Sequence, residues 1–320
     1  MLMLLGCLAI QAADDGLITN QVVINLDEPG TLPQKISASD KYLITNLKVK
    51  GDINGTDLGF LREMAGQSIN GIDETNGKLS TLDLSDTKIV GGGEPYFNYG
   101  GYETYFTEYN KIGKYAFCSC NNLKRLTLPK DITSIEQSAF FGCSGLTSIT
   151  IPSSVTAIGK WSFYDCSNLA NVTLSSNITS IGSSAFQDCS SLKNLTISKE
   201  VTSIKDIALN NSYNWLELES VYVAWENPIE AGSFFNRIKI SNCTLYVPQG
   251  TKEAYANADV WKDFGNIIEY DATGIDKVTN RSDVKEISRY SLNGQRVTSP
   301  TKGVNIVVYS DGSIKKVAVQ

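Results

Sequence analysis

The sequence predicts an α/β-type repeat solenoid: a stack of about eight coils with one parallel β face, a helical cap and a small C-terminal β module. Three observations predict it. Apolar residues recur in register every 23 positions. Within each unit the pattern L-x-x-L-x-L alternates as a half-buried strand does. Each unit is also too short to bury its own core, so its apolar columns need cover from the coils on either side.

The columns are explicit. Phe117, Phe140, Phe163, Phe186 and Leu209 share the 23-residue step, as do Cys120, Cys143, Cys166 and Cys189, and Leu123, Leu146, Leu169 and Leu192. The strand contributes Leu126, Ile149, Val172 and Leu195, then Leu128, Ile151, Leu174 and Ile197. After a turn marked by Pro129 and Pro152 come Ile132, Val155, Ile178 and Val201, then Ile135, Ile158, Ile181 and Ile204. Parallel strands stack at about 4.8 Å per coil, so the stack is about 40 Å long.

Outside these copies the pattern stretches. Leu218-x-x-Val221-x-Val223 continues it after an insertion of three residues, and Leu245-x-Val247-Pro248 adds a strand. Upstream, Leu79-x-x-Leu82-x-Leu84 precedes Leu126 by two periods less two residues, which places an insert of about 21 residues in its coil. Leu47-x-Val49 is expected as the strand before it.

The ends read differently. Residues 1–13 are apolar, finish in small residues and precede Asp14-Asp15, as an export signal would. Lipid anchoring at Cys7, after Leu4-Leu5-Gly6, is the alternative; the apolar run continues past Cys7, so simple export is preferred. Residues 14–78 are expected as an N-terminal cap region and 79–270 as the solenoid, with the insert at 90–110. A capping helix is expected over 251–264, where Ala254, Tyr255, Ala258 and Trp261 recur at helical spacing. A second short helix carries Leu58, Leu61 and Met64, capped by Thr56 or Asp57. The polar stretch 271–283 reads as a linker. Residues 284–320 form a short β-hairpin module with turns at Asn293-Gly294 and Asp311-Gly312; sorting for export is one role for it.

Composition restricts function. With 28 Lys+Arg against 34 Asp+Glu, the chain is acidic and suits no nucleic-acid partner. No run reaches the roughly 18 apolar residues of a transmembrane span. Zero histidines remove Ser-His-Asp and Cys-His catalysis and His-ligated metal sites. Asp83 and Asp86 lack the environment of a glycosidase pair. The expectation is a chain without catalytic residues, cofactor or metal.

Two apparent metal motifs dissolve on inspection. Gly51–Asp57, GDINGTD, places its glycine wrongly for a calcium loop and reads as a turn and helix cap. The Cys120, Cys143, Cys166 and Cys189 column is a structural ladder. Sulfurs about 4.8 Å apart along a line cannot converge on one zinc, and they suit apolar filling.

The units LTSITIPSSVTAIGKWSFYDCSN and LKNLTISKEVTSIKDIALNN resemble the BspA-type leucine-rich repeats of bacterial surface proteins, especially from Bacteroides-like organisms. NCTLYVPQGTKEAYANADVWKDFGNIIE resembles that family's closing segment, and ITNLKVKGDINGTDLGFLREMAG its opening one. YSLNGQRVTSPTKGVNIVVYSDGSIKKVAV resembles C-terminal β modules of exported proteins. The resemblance implies a leucine-rich repeat stack, a cell-surface or secreted location, and adhesion to host matrix proteins.

Two surfaces are candidates for contact. The insert gathers Tyr96, Phe97, Tyr99, Tyr102, Tyr105, Phe106 and Tyr109 among glycines. Such rings give rigid amphipathic contact area, or else fold back and seal the stack. The outward strand positions read Arg125/Thr127, Ser148/Thr150, Asn171/Thr173, Asn194/Thr196, Ser220/Tyr222 and Thr244/Tyr246. Threonine there also simply suits an exposed strand. The expected function is a non-enzymatic, exported protein-binding or adhesion scaffold at the bacterial cell surface. Its partner would be a host or neighbouring-cell surface or matrix protein, or a glycan. The alternative is a glycan-binding module in polysaccharide capture.

Overall fold

A computed structural model describes residues 16–270, apart from 176, 205–208, 210, 211 and 213–215, and beyond 270 only the strands within 286–319. The expected export signal over 1–13, Cys7 and the expected linker over 271–283 lie outside the described residues. Two compact units are present, Met1–Tyr270 and Asp271–Gln320.

The first unit is a leucine-rich repeat solenoid built on a parallel sheet of 10 strands. It starts with β1 (Val22–Asn25), β2 (Asn46–Ile53) and β3 (Thr81–Ile89). Arg125–Thr127, Ser148–Thr150, Asn171–Thr173, Asn194–Ile197, Ser220–Val223, Thr244–Pro248 and Asn266–Tyr270 follow, each beside its predecessor. Register repeats the sequence columns: Leu82 pairs with Leu126, Leu126 with Ile149, Val172 with Leu195, and Leu195 with Val221. The expected eight coils are thus ten. Val22–Asn25 and Asn266–Tyr270 lack the L-x-x-L-x-L spacing, yet pair over four and five residues with their neighbours.

A second parallel sheet closes the far limb of five coils through Lys111–Ile112, Ser134–Ile135, Ala157–Ile158, Ser180–Ile181 and Ser203–Ile204. Between the sheets the described residues of these coils turn without helix. Tyr115, Ser138, Trp161 and Ser184 have φ of 60, 55, 58 and 56°, and Ser119, Gly142, Asp165 and Asp188 follow at 58, 69, 54 and 62°. The left-handed bends aim every second N–H at the next coil. Phe117, Phe140 and Phe163 N–H donate to Ala139, Ser162 and Ala185 O at 2.7, 2.7 and 2.8 Å. The cost of non-glycine residues there is offset by a hydrogen-bond ladder that repeats with the fold.

The core is the stacked columns. Phe117, Phe140, Phe163 and Phe186 lie ring on ring at 5.6, 5.1 and 5.2 Å, all buried. The thiols of Cys143, Cys166 and Cys189 donate to Phe117, Phe140 and Phe163 O at 2.9, 3.2 and 3.1 Å. All six described cysteines are free.

Helices sit near the ends: α1 (Leu32–Lys35), α2 (Gly55–Met64) and α3 (Lys252–Asn257). Asn54, rather than Thr56 or Asp57, caps α2. Its side chain accepts from Thr56 N–H at 3.0 Å, while Asp57 accepts from Asn54 N–H at 3.0 Å, from Gly30 at 2.6 Å and from Leu32 at 2.9 Å. These oxygens are consumed by backbone donors.

The helix expected over 251–264 ends at Asn257; Ala258 is extended, and a 3-10 turn follows at Trp261–Asp263. Tyr255 and Trp261, six residues apart, would face different sides of one continuous α-helix at 3.6 residues per turn. The break lets both rings enter the core. Their polar ends bond to Trp225 O at 2.9 Å and Ile229 O at 2.7 Å.

In the second unit Arg296–Val297, Glu286–Ser291, Gly303–Tyr309 and Ile314–Val319 form, in that order, one four-stranded antiparallel sheet.

Candidate functional site

The insert folds as an antiparallel hairpin of β4 (Gly92–Tyr99) and β5 (Glu103–Thr107), with Phe97 opposite Tyr105 and Tyr99 opposite Glu103. It lies on α2. The approach is close enough that a Cβ on Gly55 would sit 2.1 Å from Glu94 O.

The hairpin's rings divide by burial. Tyr96 and Phe97, expected as contact residues, are buried and belong to the core. Tyr96 donates its hydroxyl to Lys114 O at 2.8 Å, and burial raises its pKa. Phe97 stacks on Tyr115 at 5.1 Å, and Tyr99 and Tyr105 lean on the same Tyr115 ring at 6.4 and 5.3 Å. Beneath them the buried Arg62 donates to Tyr115, Ala116 and Ser68 carbonyls at 2.8, 3.1 and 3.3 Å. Phe97, Tyr99 and Tyr105 share one face of the two strands and gather on Tyr115, and Phe106 takes the opposite face. Tyr96 is buried beside Phe97, Tyr102 sits in the turn and Tyr109 follows the hairpin.

The water-facing set is Tyr99, Tyr102, Phe106 and Tyr109, exposed by 58, 89, 53 and 70%. Ile69 and Ile72, which the sequence did not suggest, join it at 40 and 68%. Asn98 N–H donates to Ile69 O at 2.7 Å, so the 68–73 turn runs alongside β4. Its only sequence signal is an apolar pair in a turn, Ile69-Asn70-Gly71-Ile72. These residues expose apolar surface on and around a braced hairpin, and exposed apolar surface of this kind marks interaction sites.

The outward strand face is more occupied than its sequence implies. Register does align Arg125, Ser148, Asn171, Asn194, Ser220 and Thr244 in one column, with Thr127, Thr150, Thr173, Thr196, Tyr222 and Tyr246 in the next. Arg125, Thr127, Ser148, Thr150 and Asn171 are exposed, and Asn194 and Thr196 half-buried. Ser220 and Tyr222 are buried, contrary to expectation. Asn194 donates to Asn171 Oδ1 at 3.0 Å and Ser220 to Asn194 Oδ1 at 2.6 Å, so neighbouring amides and hydroxyls satisfy one another. Tyr222 and Tyr246 lie face to face at 4.2 Å, with Tyr270 edge-on to Tyr222 at 6.2 Å. Burial pushes the Tyr222 and Tyr270 hydroxyls up to about 12.

At the other end of this face Lys48 bridges Asp83 and Asp86 at 2.8 and 2.9 Å. The hydrogen bond from Lys48 holds the Asp86 carboxyl below its ordinary value. No group of three or more His, Cys, Asp and Glu side chains converges among the described residues. No helix among them is long and apolar enough to cross a membrane.

Comparison with known proteins bears on the repeats. No curated protein matches the chain. Among solved structures it is similar to a leucine-rich repeat protein of T. pallidum, at 24% identity over 48% of this chain and 74% of that one, TM-score 0.38. The pneumococcal vaccine antigen PcpA is similar at 16% identity over 78% and 67%, TM-score 0.43. A leucine-rich repeat protein from Bacteroides ovatus is similar at 14% identity over 67% and 54%, TM-score 0.37. The sequence model of the "BspA type Leucine rich repeat region" matches residues 110–241 in 6 copies. Residues 110–241 of this chain are BspA-type leucine-rich repeats.

Proposed function

We propose that this protein is a non-enzymatic, exported scaffold that holds a protein partner at the bacterial cell surface, as an adhesin does, and that the hairpin's outer face makes the contact. One observation carries the reading: Tyr102, Phe106 and Tyr109 stand exposed on and beside a hairpin that Phe97, Tyr99 and Tyr105 brace against Tyr115. Aromatic side chains on a rigid support lose little conformational entropy on binding, and they dominate contact energies where they are buried centrally. The Arg125–Asn171 part of the strand face, one cation among hydroxyls and an amide, adds exposed hydrogen-bonding groups in the same solenoid.

The glycan alternative would want ring faces open to a sugar. Tyr222 and Tyr246 present edges, because each covers the other's face. That removes the strand-face rings as a sugar platform, whereas the exposed hairpin rings suit either partner.

The test compares the full chain with a Tyr102→Ala/Phe106→Ala/Tyr109→Ala variant on immobilised matrix proteins and on a glycan array. Loss of binding to a matrix protein by about tenfold or more, with thermal unfolding unchanged, supports the reading. Unchanged binding overturns it, and a glycan hit without any protein hit hands the site to the alternative. The mass of the mature N-terminus reports export, and a lipid on Cys7 would replace simple release by tethering.

A further inference from the structure

We infer that the outer edge of β5 takes up an extended, basic segment of the partner polypeptide as a third strand. This rests on the hairpin being the protein-contact site and names the partner's chemistry.

β4 is closed on both sides. β5 pairs with one edge, and on the other Asn98 N–H donates to Ile69 O while Gly55 abuts Glu94 O. β5 pairs with β4 alone among the described residues. Exposed edges are normally blunted by lysine, proline or a covering segment. Glu103–Thr107, reading ETYFT, contains neither lysine nor proline, and Glu103, Thr104 and Phe106 are exposed. Its Thr, Tyr and Phe residues favour extended chain, so the edge is already shaped for pairing. Backbone hydrogen bonds would supply affinity for any extended segment, and alternate side chains would select among them.

The side chains around this edge choose a base. Glu103 and Glu108 are exposed on and just beyond β5, while the exposed Asp73, Glu74 and Glu94 lie on the β4 side of the same hairpin. The adjoining chain offers Lys111 and Lys114, and Lys111 is already paired with Glu108 at 2.7 Å. A lysine or arginine on an incoming strand meets carboxylates and the faces of Tyr102, Phe106 or Tyr109 together. A second copy pairing through its own β5 would instead bring Glu103 and Glu108 against like charge.

The probes are fluorescent peptides alternating lysine with valine and threonine, the same peptide with glutamate for lysine, and two lysine versions N-methylated on odd or even backbone amides. Binding to the full chain is followed by anisotropy. The lysine peptide is expected to bind about tenfold or more tighter than the glutamate peptide and to weaken with salt. One of the two methylated registers should lose binding while the other keeps it. Equal binding of lysine and glutamate peptides overturns the charge selection. Survival of both methylated registers overturns strand addition, as does failure of the lysine peptide to bind at all. If the triple alanine variant still loses its matrix protein in those cases, the hairpin remains the contact site and only this inference falls. If it keeps that protein, the functional reading has failed by itself.

Discussion

The guanidinium carbon of Arg62 lies 4.6 Å from the ring centre of Phe97, and both side chains are sealed from water. Arg62 has no carboxylate partner among the described residues; three carbonyls and the ring face take its charge. The residue therefore ties α2, the 115–116 bend and the hairpin into one support. Lysine lacks the planar fork that reaches separate carbonyls. Arg62→Lys is expected to lower stability by about 1–3 kcal/mol, and Arg62→Ala by more, because buried acceptors lose their donor. Urea unfolding measures the loss, and limited proteolysis should cut first within 91–110. A hairpin as protease-resistant as wild type would separate Arg62 from its support.

The same region shows what the sequence could and could not reveal. The repeat columns are legible because each coil offers its neighbours the same surface, so selection for packing writes one pattern at every step. The two terminal strands escape notice because they have a neighbour on one side only, and Val22 and Ile24 stay partly buried. Among the seven rings of the insert, composition counts aromatics but does not say which strand face they take. That is decided by Arg62 and Tyr115, which lie outside the insert. Nor does Tyr115 or Trp161 announce a left-handed bend. Each is held there by hydrogen bonds to the following coil, Tyr115 to Gln137 O at 3.2 Å and Trp161 to Ser183 O at 3.1 Å. Propensity is local, and those bonds are not.

The phenylalanine column predicts unequal costs for equal substitutions. Phe163 has a ring on both sides, at 5.1 and 5.2 Å, whereas Phe186 stacks on Phe163 alone. Phe163→Ala is expected to cost about 3–5 kcal/mol through lost burial and a cavity. Phe163→Leu keeps most of the volume and should cost about 1–2 kcal/mol, chiefly the two ring contacts. Phe186→Leu should cost about half as much as Phe163→Leu. Equal losses at the two positions would show that ring stacking contributes nothing beyond area.

Asp57 is the second buried polar tie. It accepts backbone N–H groups from Gly30, Leu32 and Asn54, joining α2 to the first coil. Asp57→Ala strands three donors and is expected to cost about 3–5 kcal/mol. Asp57→Asn keeps one accepting oxygen and should fall between. Hydrogen exchange at Gly30 and Leu32 reads the local effect; protection unchanged in the alanine variant would contradict it.

The cysteine column makes the fold sensitive to alkali. Burial pushes the Cys120 thiol from its ordinary 9.0 up to about 12 and raises Cys143 and Cys166 well above that ordinary value. Below pH 9 both folded and unfolded chains hold these protons, and the contribution is fully present. Above it the unfolded chain ionises while the folded one does not, so unfolding becomes easier as pH rises toward 12. Each such thiol removes up to about 1.4 kcal/mol per pH unit in that window. Tyr222 and Tyr270, raised by burial from 10.0 to about 12, steepen the fall past pH 10. The thermal midpoint should thus be level from pH 7 to 8.5 and drop progressively to pH 10.5. Cys120, Cys143 and Cys166 of the native protein should resist iodoacetamide at pH 8, because thiolate is the reacting species. Rapid alkylation of Cys143 or Cys166 in the folded chain, or a flat midpoint through pH 10.5, would contradict a ladder of buried neutral thiols.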